Sequence, residues 1–173
     1  MCYCRDCQAF AHFLGKADEM LDAQNGSQII QTLPAYVTFT QGQEMLACMR
    51  LSPKGMLRWY CTCCNTPIGN TLDSPKISFI GLVHICLDSG GASLDEVFGP
   101  IRMRVNTKSA KGAVTSSSTA NIAGILRVMA MVARARLDGS YRHTPFFSGT
   151  TGAPIVTPRV ISLAEKGAIY GAL

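Results

Sequence analysis

The residues able to do chemistry in this 173-residue chain are its eight cysteines, and six of them fall into two tight groups. Cys2, Cys4 and Cys7 open the chain; Cys61, Cys63 and Cys64 follow later. Clustered cysteines separated by one or two residues point to a metal before disulfides. A turn lets such thiolates reach one ion at about 2.3 Å while a neighbouring segment completes the tetrahedron. A disulfide between such close neighbours is strained, because it needs Cα atoms roughly 4.4–6.8 Å apart with matching Cβ directions. Soft thiolates select zinc or an iron–sulfur cluster, and there is no longer ferredoxin-like cysteine series, so the reading is zinc.

The first group is a C-x-C-x-x-C. Three ligands within six residues leave a fourth position for water, a thiol substrate or another side chain, the pattern of a catalytic zinc. The second, Cys61-Thr62-Cys63-Cys64-Asn65, is a C-x-x-C knuckle with one extra thiol, and Asn65 tolerates the left-handed turn that knuckles use. It is one ligand short of a closed structural site, so either the two groups share an ion or ligands are missing. Cys48 and Cys86 lie in apolar segments and read as buried thiols. His12, next in sequence to the first group, is a candidate fourth ligand, although a histidine there more often packs or faces solvent. His84 reads as a core or sheet residue.

Around these motifs, Gln8–Leu14 suits a short helix ended by Gly15. Strands are expected over Gln28–Leu33, Ala35–Thr40, Met45–Leu51 and Met56–Cys61, with turns at Gln41-Gly42-Gln43 and Ser52-Pro53-Lys54-Gly55. Asn65–Asn70 reads as another turn and Ile77–Leu87 as a long buried strand. Lys108–Ser118 is a loop. Thr119–Leu137 is an amphipathic helix with Ile122, Ile125, Leu126, Met129 and Ala133 on one face, and Gly139 is its cap. Ser162 and Glu165 form a capping box for a last short helix. Trp59 and Tyr60 are expected to pack under the metal, and Met45, Met49, Met129 and Met131 to fill core. The fold class is therefore mainly β, short antiparallel strands with knuckles at their ends: a zinc-binding β domain over 1–100, with a helical extension over 101–173 packed on it.

With 47% hydrophobic and 16% charged residues the chain is globular. The low charged fraction hints at an interface. No apolar run reaches the 18 or so residues of a membrane span. Met1-Cys2-Tyr3-Cys4 resembles no secretory leader, and a cytoplasmic protein is expected. The net charge of +5 is unevenly placed: residues 1–100 carry 6 Lys+Arg against 9 Asp+Glu, residues 101–173 carry 10 against 2. The basic C-terminal part suits its own acidic first part or a small anion better than nucleic acid, because its cations are dispersed.

CYCRDCQAFAHFLG followed by RWYCTCCNTPIGN resembles the glutathione-dependent formaldehyde-activating (GFA-like) family, in a divergent branch, over roughly residues 2–70. The resemblance implies a β-tent zinc fold and carbon–sulfur lyase chemistry that condenses formaldehyde with glutathione. It implies that Cys2, Cys4 and Cys7 hold the site where glutathione and the catalytic zinc meet, and that Cys61 and Cys64 are half of a structural zinc site. The family's other half is a C-x-C on an earlier strand, which this chain does not show; Cys63 is the available substitute. A missing first strand would expose a sheet edge and favour a homo-oligomer.

Three readings follow. The first is a zinc enzyme that activates a thiol toward a small aldehyde, with Arg5 and Arg58 receiving the carboxylates of glutathione. The bland alternative for both arginines is an ordinary salt bridge. The second is a non-catalytic, zinc-stabilised module that binds a protein. The third, nucleic-acid binding, ranks last.

Overall fold

The computed structural model describes residues 1–173. In chain order the elements are α1 (Arg5–Phe13), α2 (Ala17–Met20), β1 (Ile29–Thr32), β2 (Leu46–Arg50), β3 (Leu57–Cys61), β4 (Pro67–Thr71), β5 (Ile80–Val83), α3 (Leu94–Phe98), α4 (Ser118–Leu137), β6 (Arg159–Val160) and α5 (Leu163–Gly171). The strands form one sheet in the order β1-β5-β4-β3-β2-β6. Four pairings are antiparallel, and β6 lies parallel to β2. The architecture is thus a mixed six-stranded sheet with helices, rather than the purely antiparallel β domain expected.

Alternation along the strands gives the sheet two faces with separate cores. On one face Met49, Leu51 and Val83 pack against Ala9, Phe10, Ala11 and Leu14 of α1 and its following turn. Tyr60 sits there too, its ring edge-on to Phe10 and Phe13. On the other face Leu46, Cys48, Leu57, Trp59 and Ile80 are covered by Phe146 and Phe147. Trp59 is fully buried, 5.1 Å from the Phe146 ring centroid, and donates its indole N–H to Thr71 at 2.9 Å. Of the two aromatic residues expected beneath the metal, only Tyr60 lies on the α1 side; Trp59 anchors the opposite core.

The extension is woven into both cores, through Ile161 on one face and Phe146 on the other, with β6 on the sheet edge. The helices start where capping chemistry places them: Ser117 caps α4, and Ser162 with Glu165 makes the expected box at α5. Gly139 follows α4 with φ +81°, as a C-terminal cap should.

Some elements differ from expectation. Ala35–Thr40 is no strand: Pro34 opens a 3-10 turn, and the residues after it pair with no strand of the sheet. Val37 and Phe39 still pack on the Trp59 core, so the alternation was real without a ladder. The long strand over Ile77–Leu87 shrinks to Ile80–Val83 before a 3-10 turn. The supposed turn at Asn65–Asn70 is largely β4, entered at Pro67, where a strand tolerates a missing N–H.

The largest departure is α4. Ile122, Ile125, Leu126 and Met129 are 50–61% exposed instead of covering the sheet. The helix docks by a neighbouring stripe. Asn121 donates to the Arg104 carbonyl at 2.9 Å, Gly124 receives Met103, and Ala135 is fully buried. A Cβ at position 124 would lie 2.0 Å from the Met103 sulfur, so glycine is required for this approach. Of the methionines expected as core, Met129 and Met45 are surface residues and only Met49 is fully buried.

Two outcomes test this packing. Trp59→Ala should cost about 3–5 kcal/mol, read as a lower urea midpoint. Gly124→Val should evict Met103 and raise hydrogen exchange along α4, leaving exchange in β3 unchanged.

Candidate metal centre

The first cysteine group is held where three chain segments meet. Cys2 exchanges two backbone hydrogen bonds with Ser27, each 2.9 Å. On its other side the Tyr3 N–H donates to the Val105 carbonyl, and Val105 donates to that of Met1, both at 3.1 Å. The chain then turns into α1 at Cys4, whose sulfur caps the helix by accepting the Cys7 N–H at 3.4 Å. Cys7, three residues on, faces back toward the same end, and its side chain is buried.

The Sγ atoms of Cys2, Cys4 and Cys7 consequently lie within 4.8 Å of one another, those of Cys2 and Cys4 3.4 Å apart. Tetrahedral zinc with bonds of about 2.3 Å places its sulfurs roughly 3.8 Å apart, so the trio fits such an ion. The surroundings favour negative charge: the positive end of α1 points at it, and the Asn106 amide lies 3.5 Å from the Cys2 sulfur. Among the thiols Cys2 takes that charge. Hydrogen bonds from Cys4 and then Cys7 pull its pKa far down, and the same contacts with Cys2 push Cys4 and Cys7 up.

The trio opens onto a cleft of about 900 Å³. Its floor is one register row of the sheet, running Arg58, Asn70, Gly81, Gln31 from β3 to β1. Glycine in that row makes room for the Ile29 side chain, which a Cβ at position 81 would meet at 2.6 Å. Arg58 is only 3% exposed, donates to the Asn70 side-chain oxygen at 3.0 Å, lies over the Phe10 ring and faces Asp6 at 3.9 Å. Asp6 is the one carboxylate lining the cleft, and it also accepts the Tyr170 hydroxyl. Arg102 and Arg127 line the cleft from the C-terminal part, and neither has an acidic partner.

Cys61, Cys63 and Cys64 form a separate cluster, also within 4.8 Å, so the two groups do not share one ion. It sits on the turn joining β3 to β4. There the Cys61 N–H donates to Thr66 at 3.0 Å, and Asn65 adopts φ +55°, the left-handed conformation expected of it. Cys63 and Cys64 are exposed. A hydrogen bond from the Thr66 hydroxyl lowers Cys64 to about 7, while contact with Cys61 raises Cys63 to about 11. This cluster offers three soft donors, two of them exposed, and does not line the cleft.

Among the other residues singled out, Arg5 does not join the cleft. Its guanidinium donates to the Tyr170 carbonyl at 2.8 Å and stacks on that ring, tying α1 to α5. His12 is exposed at the far end of α1 and belongs to neither cluster. His84 is half-buried in a 3-10 turn, its Nδ1 without a hydrogen-bond partner. Cys48 is a core thiol, held up at about 12 by burial. Cys86 is half-buried and raised to about 11 for the same reason.

Asn70, Asn106, Arg102 and Arg127 were missed by sequence reasoning. Asn106 carried a usable signal, since a non-glycine residue at φ +58° is most often asparagine. The others become visible only once strand register and the docking of α4 are known.

Both clusters fit a metal by donor chemistry, and no helix of the protein is long and apolar enough to cross a membrane. Comparison with curated proteins gives no match, and comparison with solved structures gives none. Residues 1–157 match a family of unknown function, DUF6151, and the chain belongs to that family.

Proposed function

We propose that the protein is a zinc enzyme of the carbon–sulfur lyase type, acting on the adduct of a small thiol such as glutathione with an aldehyde, as its resemblance to the GFA-like family implies. The observation that carries this reading is that a trio of cysteines with one coordination position to spare opens onto a cleft whose floor holds a buried arginine. The second trio does not line that cleft. A β-tent arrangement of the strands belongs to the same proposal.

Cys2, Cys4 and Cys7 would hold the ion. Bound there, zinc supplies the charge that lowers the pKa of a thiol in the fourth position and keeps it a thiolate. The chain's own residues do the rest. The α1 N-terminus and Asn106 stabilise the negative sulfur cluster. Arg58, fixed by Asn70 and Phe10, receives one carboxylate of the thiol, and Arg102 and Arg127 receive another. Asp6, the cleft's only carboxylate, accepts the proton that the incoming thiol gives up.

A second reading, a zinc-stabilised module that binds a protein partner, is favoured by the exposed Cys61–Cys63–Cys64 cluster and the bare apolar residues of α4.

Metal analysis separates the two. Cys4→Ser/Cys7→Ser should lose about one equivalent of zinc that Cys61→Ser/Cys64→Ser retains. In the cobalt-substituted protein, glutathione should shift the visible absorption bands. Arg102→Ala/Arg127→Ala should weaken that glutathione response about tenfold, as loss of a charge-assisted hydrogen bond does. Zinc unchanged in Cys4→Ser/Cys7→Ser, or cobalt bands indifferent to thiols, would leave the module.

A further inference from the structure

A second cavity adjoins the cysteine cleft. It has a volume of about 580 Å³ and runs between α4 and the β1–β5 side of the sheet. Nine of its twelve lining residues are hydrophobic, among them Ile77, Phe79, Val128, Met129 and Val132. The three polar ones are Gln31, Lys76 and Arg136; no carboxylate lines it, and neither cation has an acidic partner. Gln31, Phe79 and Met103 line both cavities, so the two are neighbours across a shared wall. Met103 is seated against Gly124, and methionine is the hydrophobic side chain most able to move aside for a ligand.

We propose that the ligand of this protein carries an unbranched apolar tail, which lies in the crevice under α4 while its polar head enters the cysteine cleft. The head's place rests on the thiol-handling reading above; the tail's place rests on the crevice alone. The substrate class is then an amphipathic anion, the adduct of the thiol with an aldehyde that carries an alkyl chain.

Three observations carry this. Each cavity alone has the volume of a site for a whole small molecule, so together they suit a longer ligand than the adduct of a thiol with a one-carbon aldehyde. The thiols and Arg58, Arg102 and Arg127 lie in the cleft, and hydrophobic residues make up nine of twelve lining the crevice against fourteen of twenty-seven lining the cleft. The exposed Ile125 and Met129, anomalous as surface residues, become one wall of a binding site. Charge also disfavours a second copy of this chain as the occupant. The helix carries Arg127, Arg134 and Arg136 and no acidic residue, so paired α4 helices would bring like charges together.

The test is displacement of 1-anilinonaphthalene-8-sulfonate from the full chain by linear carboxylates from butyrate to dodecanoate. Affinity should rise roughly fourfold per added methylene until the crevice is filled. Met129→Glu, an exposed position that the fold tolerates, and Val132→Phe, which fills the crevice, should both flatten the series without changing zinc content. Cys4→Ser/Cys7→Ser should keep the chain-length dependence, so that loss of the zinc reading and loss of the tail are told apart. A flat series in the wild-type protein overturns the proposal, whatever its zinc does. So does a flat series accompanied by a dimer in sedimentation that Met129→Glu dissociates, which would assign the crevice to a second copy.

Discussion

The site depends on the three-way backbone junction at Cys2. Four hydrogen bonds hold the first residues between Ser27 on one side and Val105 on the other. Those bonds join parts of the chain a hundred residues apart, and they place the opening residues as a short strand between two segments. The first cysteine cluster hangs from this junction. It sets where α1 begins, hence where the Cys4 cap and the Cys7 side chain meet Cys2. It also holds Arg102 through Asn106 at the cleft, which brings in a cationic wall and the Asn106 amide. Without it the C-x-C-x-x-C would still be a peptide with three thiols, but with no fixed cleft to serve.

The sheet contributes the floor by register. Because paired residues share a face, Arg58, Asn70, Gly81 and Gln31 form one line under the cysteines. A buried guanidinium is costly unless its donors are used, and here the Asn70 oxygen, the Phe10 face and the more distant Asp6 offset that cost. Arg58 is thus a buried guanidinium that lines the cleft, whereas Arg5 satisfies itself on the Tyr170 carbonyl and ring at the surface. Two arginines that looked equivalent in the sequence are separated by which side of the α1 packing they occupy.

That contrast marks how far the residues could be read unaided. Cysteine spacing was legible because coordination is local: a few residues determine which sulfurs can meet, and both trios do. Helices α1, α4 and α5 and the β2–β3 hairpin were legible because caps, periodicity and turn chemistry are local too. Long-range choices were not. β4 was hidden because Pro67 and Gly69 usually break strands. Here Pro67 stands at the strand's first position, and Gly69 is needed because a Cβ would lie 2.9 Å from the Gly81 carbonyl. The parallel β6 is two residues long and leaves no pattern at all. For α4, the most hydrophobic stripe was mistaken for the docking face. Close approach instead selected Asn121, Gly124 and Ala135, small or hydrogen-bonding residues that hydropathy ranks low.

The two cysteine clusters show why spacing alone does not assign chemistry. Both bring three sulfurs within the same distance. In one, the C-x-C-x-x-C runs into a helix, so that its last thiol is buried, the helix end adds positive potential, and a strand row supplies an arginine below. In the other, the knuckle ends a strand and turns back at Asn65, which leaves two of the three thiols in solvent. A thiolate in water gains little from its neighbours, whereas one at a helix end beside a low-dielectric cleft can hold charge and direct it at a ligand. The proposed catalytic role rests on what continues the chain after the motif, a helix in the first case and a hairpin turn in the second.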